Sequence, residues 1–491
     1  MVKVVIIGGG IGGLATANLL AQEGHEVHVY EKNTQLGGRA GQFKKDGFTF
    51  DTGPSWYLMP DVFERYYSLL GTSTKKELDL VRLSPAYKVY SGDTSLTISG
   101  DLKKDAATFE SLERGAGNKL HSYVAQSLIT YRFALKHFLY SNFDSARPFT
   151  KGEILRNGAR MSQLALSPIH RYVAKQFKNT QLQQILEYPT VFLGSSPYSA
   201  PALYSLMSAL DFHDGVYYPK GTMYAVVESL EKIGRGLGVS YHTGVAVRTI
   251  QTKSKKATAL ILEDGSKVEA DIIIANSDLH FTETSLLAPK DQTYPESYWR
   301  KKEASPSALL MYLGIEGSIP EFEHHTLLFT NNWKKNFDTI FHEKAIPKPA
   351  SLYISKTSAT DTTAPKGKEN IFVLVPLPSG ITIPAEQLED LADTYLEQIK
   401  HTTGVDLKAR TISRTLFGPN DFSAKYNAWQ SSMLGPSHIL RQSAFFRTPN
   451  KSKKLHNLYY VGASTVPGIG VPMCLISAEL VSERIRKDIA S

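Results

Sequence analysis

Two glycine-rich loops, one near each end of the chain, hold the residues with the most capacity for chemistry. The first, Gly8-Gly9-Gly10-Ile11-Gly12-Gly13, sets glycines at 8, 10 and 13 in a G-x-G-x-x-G spacing, directly after the apolar run Val2 to Ile7. Such glycines permit a tight turn and let backbone N–H groups approach a pyrophosphate at a helix N-terminus, where the macrodipole favours negative charge. The next strand-like run ends in Glu31, at the offset of about 20 residues from which a carboxylate accepts both hydroxyls of a ribose. A carboxylate repels a ribose phosphate, which argues against NADP. A purely structural glycine turn is the competing reading. No second G-x-G-x-x-G with a suitable strand and acid follows, so a separate NAD site is not expected.

The second loop runs from Gly462 to Pro472, after the strand-like Leu458 to Val461 and before a helical pattern from about Met473 to Lys487. A helix start there presents backbone N–H groups, which suit an electron-rich ring; a helix-entry turn with no ligand is the plain alternative.

The elements that must position these loops follow from periodicity. Val2 to Ile7 reads as a buried strand, Ile11 to Glu23 as a helix and Glu26 to Tyr30 as a second strand. From Leu102 to about Leu210 the pattern is mostly helical, broken at Pro148, Pro168, Pro189 and Pro197, and Ser240 to Ile274 is strand-rich with a turn at Glu263-Asp264-Gly265-Ser266. Residues 290 to 440 mix strands and helices. The expected division is 1–115, 213–285 and 441–491 as parts of one cofactor-binding domain, 116–212 as a helical lid, and 286–440 as a substrate domain.

After Glu31 come Leu36-Gly37-Gly38-Arg39-Ala40 and Gly47-Phe48-Thr49-Phe50-Asp51-Thr52-Gly53-Pro54. Here the sequence resembles the FAD-dependent amine oxidase and carotenoid desaturase superfamily. The segments Leu203 to Met207, Gly215 to Gly221, Asn276-Ser277-Asp278 and His324-His325-Thr326 resemble central motifs of bacterial and fungal phytoene desaturases. The most specific match is Gln442 to Arg447 with Leu458 to Pro472 and Ser477-Ala478-Glu479. There are departures: Val466 stands where many members have histidine, Thr222 and Met473 where glycine is common.

The resemblance implies an α/β fold: a Rossmann-like FAD-binding domain built from both chain ends, a mixed-sheet substrate domain and a helical membrane-associating subdomain. It implies FAD as cofactor, held by Gly8, Gly10, Gly12, Gly13, Glu31, Lys32, Gly38, Arg39, Val247, Gly462, Val471, Pro472 and Met473. The implied reaction introduces C=C bonds into phytoene, or into dehydrosqualene or a later carotenoid, with isomerisation and flavin amine oxidation as alternatives. Oxygen or a quinone would take the electrons. No catalytic acid or base is assigned, and the valine at 466 excludes an imidazole there.

Other residues carry less. His324-His325 on a strand would point to opposite faces with no third ligand at metal spacing, so no metal is expected. His438, Arg441 and Arg447 are candidates to line the flavin cavity, or ordinary surface residues. The lone cysteine, Cys474, excludes an internal disulfide. The 491 residues are 42% hydrophobic and carry a net charge of +8. Between Tyr131 and Lys178 nine Arg/Lys (132, 136, 147, 151, 156, 160, 171, 175, 178) face two acids, Asp144 and Glu153. A solvated helical face is the bland reading. No nucleic-acid motif accompanies the charge, and the aromatics Tyr131, Phe133, Phe138 and Tyr140 suit a lipid interface. No run approaches a membrane-spanning length and no secretory signal is evident. The expected location is therefore cytoplasmic, peripheral on the inner face of the cell membrane.

Overall fold

The computed structural model describes residues 1–92, 94–143 and 152–490, with backbone alone for 152–155. Lys3–Ile7 is a strand buried over its last four residues, and Ile11–Gln22 is a helix apolar and buried all round. A helix of that composition is stable only when covered on every side. The C-terminal helix Val471–Ala490 and the helix Tyr224–Gly236 supply the cover.

The first sheet has five parallel strands in the order Leu458–Tyr460, Ile272–Ala275, Lys3–Ile7, Glu26–Glu31, Ser240–Thr243. Segments from both ends and the middle of the chain thus share one layer. A three-stranded antiparallel sheet, Val247–Lys253, Lys256–Leu262 and Lys267–Glu269, lies next in sequence, and its second turn falls at Leu262 to Ser266.

The second large sheet has seven strands, in the order Thr411–Phe417, Ser307–Glu316, Lys368–Leu377, Leu352–Ser355, His325–Phe329, Tyr87–Ser91, Thr94–Ile98. All its pairings are antiparallel except His325–Phe329 with Tyr87–Ser91, so the sheet is mixed. The early strands Tyr87–Ser91 and Thr94–Ile98 extend it.

Helices Leu102–Leu112, Ala116–Ala134, Gly152–Leu166, Ile169–Ala174 and Thr180–Glu187 lie in the stretch expected to be helical, which continues with 3-10 turns at Tyr188–Leu193 and Ala202–Leu206. Arg132, Lys136, Arg156, Arg171, Lys175 and Lys178 are exposed there. Asp144, Arg147, Lys151 and Pro148, and the side chain of Glu153, lie outside the described residues. The tail helix begins at Val471, two residues before the sequence expectation, because Pro472 is compatible with a first helical turn that needs no N–H donor.

Candidate functional site

Three neighbouring strands of the parallel sheet end at the same edge: Lys3–Ile7 runs into Gly8, Ile272–Ala275 into Asn276, and Leu458–Tyr460 towards Gly462. Parallel sheets place their ligand crevice at this carboxyl edge. The Asn276 amide nitrogen donates to the Gly8 carbonyl at 3.2 Å, and its backbone N–H donates to Ile7 at 2.8 Å. Asn276 thereby occupies the space that glycines leave: a Cβ on Gly12 would stand 2.7 Å from its Oδ1 and 3.1 Å from the Cα of Gly462. A Cβ on Gly13 would stand 2.2 Å from the Gly8 carbonyl oxygen.

Glu31 is buried, and its two carboxylate oxygens tie the glycine loop to the segment that follows its own strand. Oε2 accepts the Gly9 N–H at 2.8 Å; Oε1 accepts the Asn33 backbone N–H at 2.8 Å and its side-chain amide at 2.7 Å. Lys32 is tied elsewhere, donating to the Ala424 carbonyl and to Asn427, and burial lowers its pKa. Arg39 lies 3.8 Å from the buried Asp278 carboxylate, and its Nε and Nη2 make no hydrogen bond among the described residues. Burial pushes the Asp278 carboxyl up, against the opposing pull of Arg39.

These groups open onto a cavity of about 1150 Å³. Gly8, Gly10, Gly12, Glu31, Lys32, Gly38, Arg39, Val247, Gly462, Val471, Pro472 and Met473 all line it, while Gly13 packs behind the loop against Gly8. At the C-terminal helix the first intrahelical bond is from the Cys474 N–H to Gly470 at 3.0 Å. The N–H groups of Val471 and Met473 therefore have no acceptor inside the helix. Cys474 also lines the cavity, and burial pushes its thiol up to about 12, which keeps it unreactive.

The crevice fits a bound dinucleotide. Residues with side-chain-free backbone, unbonded guanidinium nitrogens and orphan helix N–H groups all line this one cavity. The same cavity is also lined by aromatic side chains: Trp56, Tyr188, Phe192, Phe329, Trp333 and Phe337. Phe445 and Phe446 line the cavity too while standing 56% and 57% exposed, so they mark its mouth.

His324 and His325 do not point apart. Their rings meet edge to face at 4.6 Å, because the strand begins only at His325. Each Nδ1 is paired, His324 with Thr360 and His325 with Tyr353, both at 2.7 Å. Burial lowers both pKa values, that of His324 to about 3, so the rings are neutral. No group of three metal-ligating side chains occurs among the described residues.

Of the three tail candidates only His438 lines the cavity. Arg441 is exposed, since it sits on the outer side of the turn Leu440–Gln442. Arg447 is buried but engaged with backbone carbonyls, donating from Nε to Thr465 at 3.1 Å and from Nη2 to Ala463 at 2.5 Å. Sequence reasoning gave Asn276 no role, although the end of a third buried apolar strand was a signal that could have placed it beside Gly8.

A family model described as flavin containing amine oxidoreductase matches residues 11–486. A carotenoid 3,4-desaturase from Haloarcula japonica is 40% identical over 489 residues, covering 99% of this chain and 98% of that protein. A zeta-carotene-forming phytoene desaturase from Myxococcus xanthus is 34% identical, covering 98% and 93%. A putrescine oxidase variant matches in structure with a TM-score of 0.64 at 14% identity, over 100% of this chain and 99% of that one, which shows a shared α/β fold. The chain therefore belongs to the flavin containing amine oxidoreductase family and, within it, to the carotenoid desaturases.

Proposed function

We propose that this chain is an FAD-dependent desaturase that introduces C=C bonds into a carotenoid precursor, with phytoene as the assigned substrate. The observation that carries this reading is the cavity, which joins the glycine-loop crevice to an aromatic chamber and an exposed apolar mouth. A long hydrocarbon needs that continuity to reach a dinucleotide cofactor from a lipid phase.

When bound, FAD supplies the two-electron acceptor that forming a C=C bond requires. The protein's own contribution is to bind, orient and keep dry. Gly8, Gly10 and Gly12 would admit the pyrophosphate, Glu31 would accept a ribose hydroxyl, and Arg39 would face the anionic bridge. The Val471 and Met473 N–H groups would lie at the flavin end. Trp56, Tyr188 and Phe192 pack the polyene and exclude water.

In this reading segments 1–115, 213–285 and 441–491 form a Rossmann-like FAD domain and 286–440 the substrate domain, to which Tyr87–Ile98 is added. The helical segment 116–212 associates with the inner face of the cell membrane, supported by its exposed Arg and Lys and by Phe445 and Phe446 at the mouth. No helix among the described residues is long and apolar enough to cross a membrane. Electrons leave to oxygen or a quinone.

The carotenoid 3,4-desaturase relative favours a second reading, in which the substrate is a later carotenoid. Incubating the FAD-loaded protein with phytoene in liposomes and separating the products by chromatography tests both. Products with a longer chromophore support phytoene. Unchanged phytoene, with conversion of a more unsaturated carotenoid offered in parallel, supports the second reading.

A further inference from the structure

The loop that precedes the C-terminal helix is held by two side chains from outside it. Arg447 binds its first half through the Ala463 and Thr465 carbonyls. His438 binds its second half: its Nε2 lies 3.1 Å from the Ile469 N–H and packs so close to Gly468 that a Cβ there would stand 2.2 Å away. Position 466 is valine, so the imidazole at this loop comes from a segment 28 residues upstream.

The contacts fix which nitrogen carries the proton. The Ile469 N–H can only donate, so Nε2 is the acceptor and Nδ1 holds the hydrogen. Nδ1–H then donates to the Tyr204 hydroxyl oxygen at 2.7 Å; the Tyr204 hydroxyl donates to Ser443 at 2.9 Å, and Ser443 donates to the Ile439 carbonyl at 2.9 Å. The chain runs in one direction and ends on backbone. Burial and the neighbouring Arg447 charge both disfavour protonation of His438, which would remove the acceptor for Ile469. His438, Tyr204, Ile469 and Gly470 all line the cavity.

We propose that His438 is a positioning residue for the flavin end of the cofactor site: through Ile469 it fixes the Gly468–Gly470 turn so that the helix beginning at Val471 aims its free N–H groups at the reduced flavin. This rests on the placement of the flavin end at residues 462–474. The N–H groups stabilise charge gained on reduction, and a loosened turn lowers that preference without removing FAD.

The test measures FAD content, visible flavin spectrum and midpoint potential of the purified holoprotein. In His438→Leu the ratio of reduced to oxidised flavin affinity is expected to fall about tenfold, which for a two-electron couple lowers the potential by about 30 mV. His438→Gln offers an oxygen where Nε2 stood and is expected to restore the potential and spectrum; His438→Asn, whose oxygen mimics Nδ1 instead, is not. Tyr204→Phe, which removes the acceptor that keeps the hydrogen on Nδ1 and so loosens the Nε2 contact with Ile469, serves should the leucine variant not fold and is expected to move the potential in the same direction by a smaller shift. Unchanged potentials in the leucine and phenylalanine variants, or a glutamine variant no better than asparagine, overturn the proposal. Met473→Lys separates the two ideas. A raised potential there supports the flavin placement whatever His438 does, and no shift overturns that placement and the proposal with it.

Discussion

Asn276 donates to the Gly8 carbonyl across 268 residues of sequence, and the same carboxamide fills the space beside Gly12 and Gly462. One side chain thus measures the gap between the two glycine loops. Its partners have no room to spare. Gly13→Ala would put a methyl 2.2 Å from the Gly8 carbonyl oxygen, which is backbone and must shift. This substitution is expected to destabilise the protein by about 1–3 kcal/mol and to lower FAD content. Thermal unfolding and flavin absorbance of the purified variant measure both; wild-type values in each would contradict the packing.

Glu31 shapes the loop, and in the proposed site it also faces the ribose. Glu31→Ala strands the buried Gly9 N–H and the half-buried Asn33 N–H. Leaving such donors unmet costs about 1–3 kcal/mol, so FAD is expected to bind about tenfold to a hundredfold more weakly. Glu31→Gln retains an acceptor and is expected to lose less. Titration of the apoprotein with FAD measures the order; equal losses in the two variants would refute it.

The parts legible in sequence were those governed by local rules. The strand, glycine loop and helix over residues 3–22 follow from apolar periodicity and from glycines where a side chain cannot fit. The acid at 31 was picked out by spacing, and its carboxylate ties the loop at Gly9. What was not legible depended on distant pairing. Nothing local to Tyr87–Ile98 tells that these strands extend a sheet whose other members begin at residue 307. Likewise Arg441 and Arg447 are alike in type and six residues apart, yet one faces water and the other binds four backbone carbonyls. Only the return of the tail across the cavity decides between them.

Two buried carboxyls make stability depend on pH. Burial pushes Asp51 and Asp211 each up to about 7, from 3.8 for an ordinary aspartate. Between these values the folded chain holds protons that the unfolded chain has released, so stability is present at low pH and is lost as pH rises through that window. Asp211 accepts from the Tyr188 and Tyr87 hydroxyls at 2.7 and 3.3 Å, with Asp105 nearby adding to its upward shift. Asp211→Asn keeps an acceptor and cannot ionise. Its melting temperature is expected to fall less than that of the wild type between pH about 5 and about 8. A parallel fall in both proteins would show that Asp211 does not titrate in this range.

Phe445 and Phe446 are the clearest case of apolar surface that folding alone does not explain. Both are more than half exposed, both line the cavity, and the Phe445 ring meets Phe143 edge to face at 6.4 Å. Replacing both with serine removes no buried contact from the FAD crevice, so FAD content and thermal stability are expected to stay at wild-type values. If these rings insert in the lipid surface and guide the polyene inward, the double variant loses conversion of substrate held in liposomes, by about tenfold. That corresponds to losing about 1.4 kcal/mol of membrane contact, less than burying two aromatic side chains contributes. Substrate dispersed in detergent micelles bypasses the bilayer, and the loss there is expected to be smaller. An equal loss in liposomes and micelles would place the two rings in substrate binding inside the cavity, and retained activity in both would remove them from the path altogether.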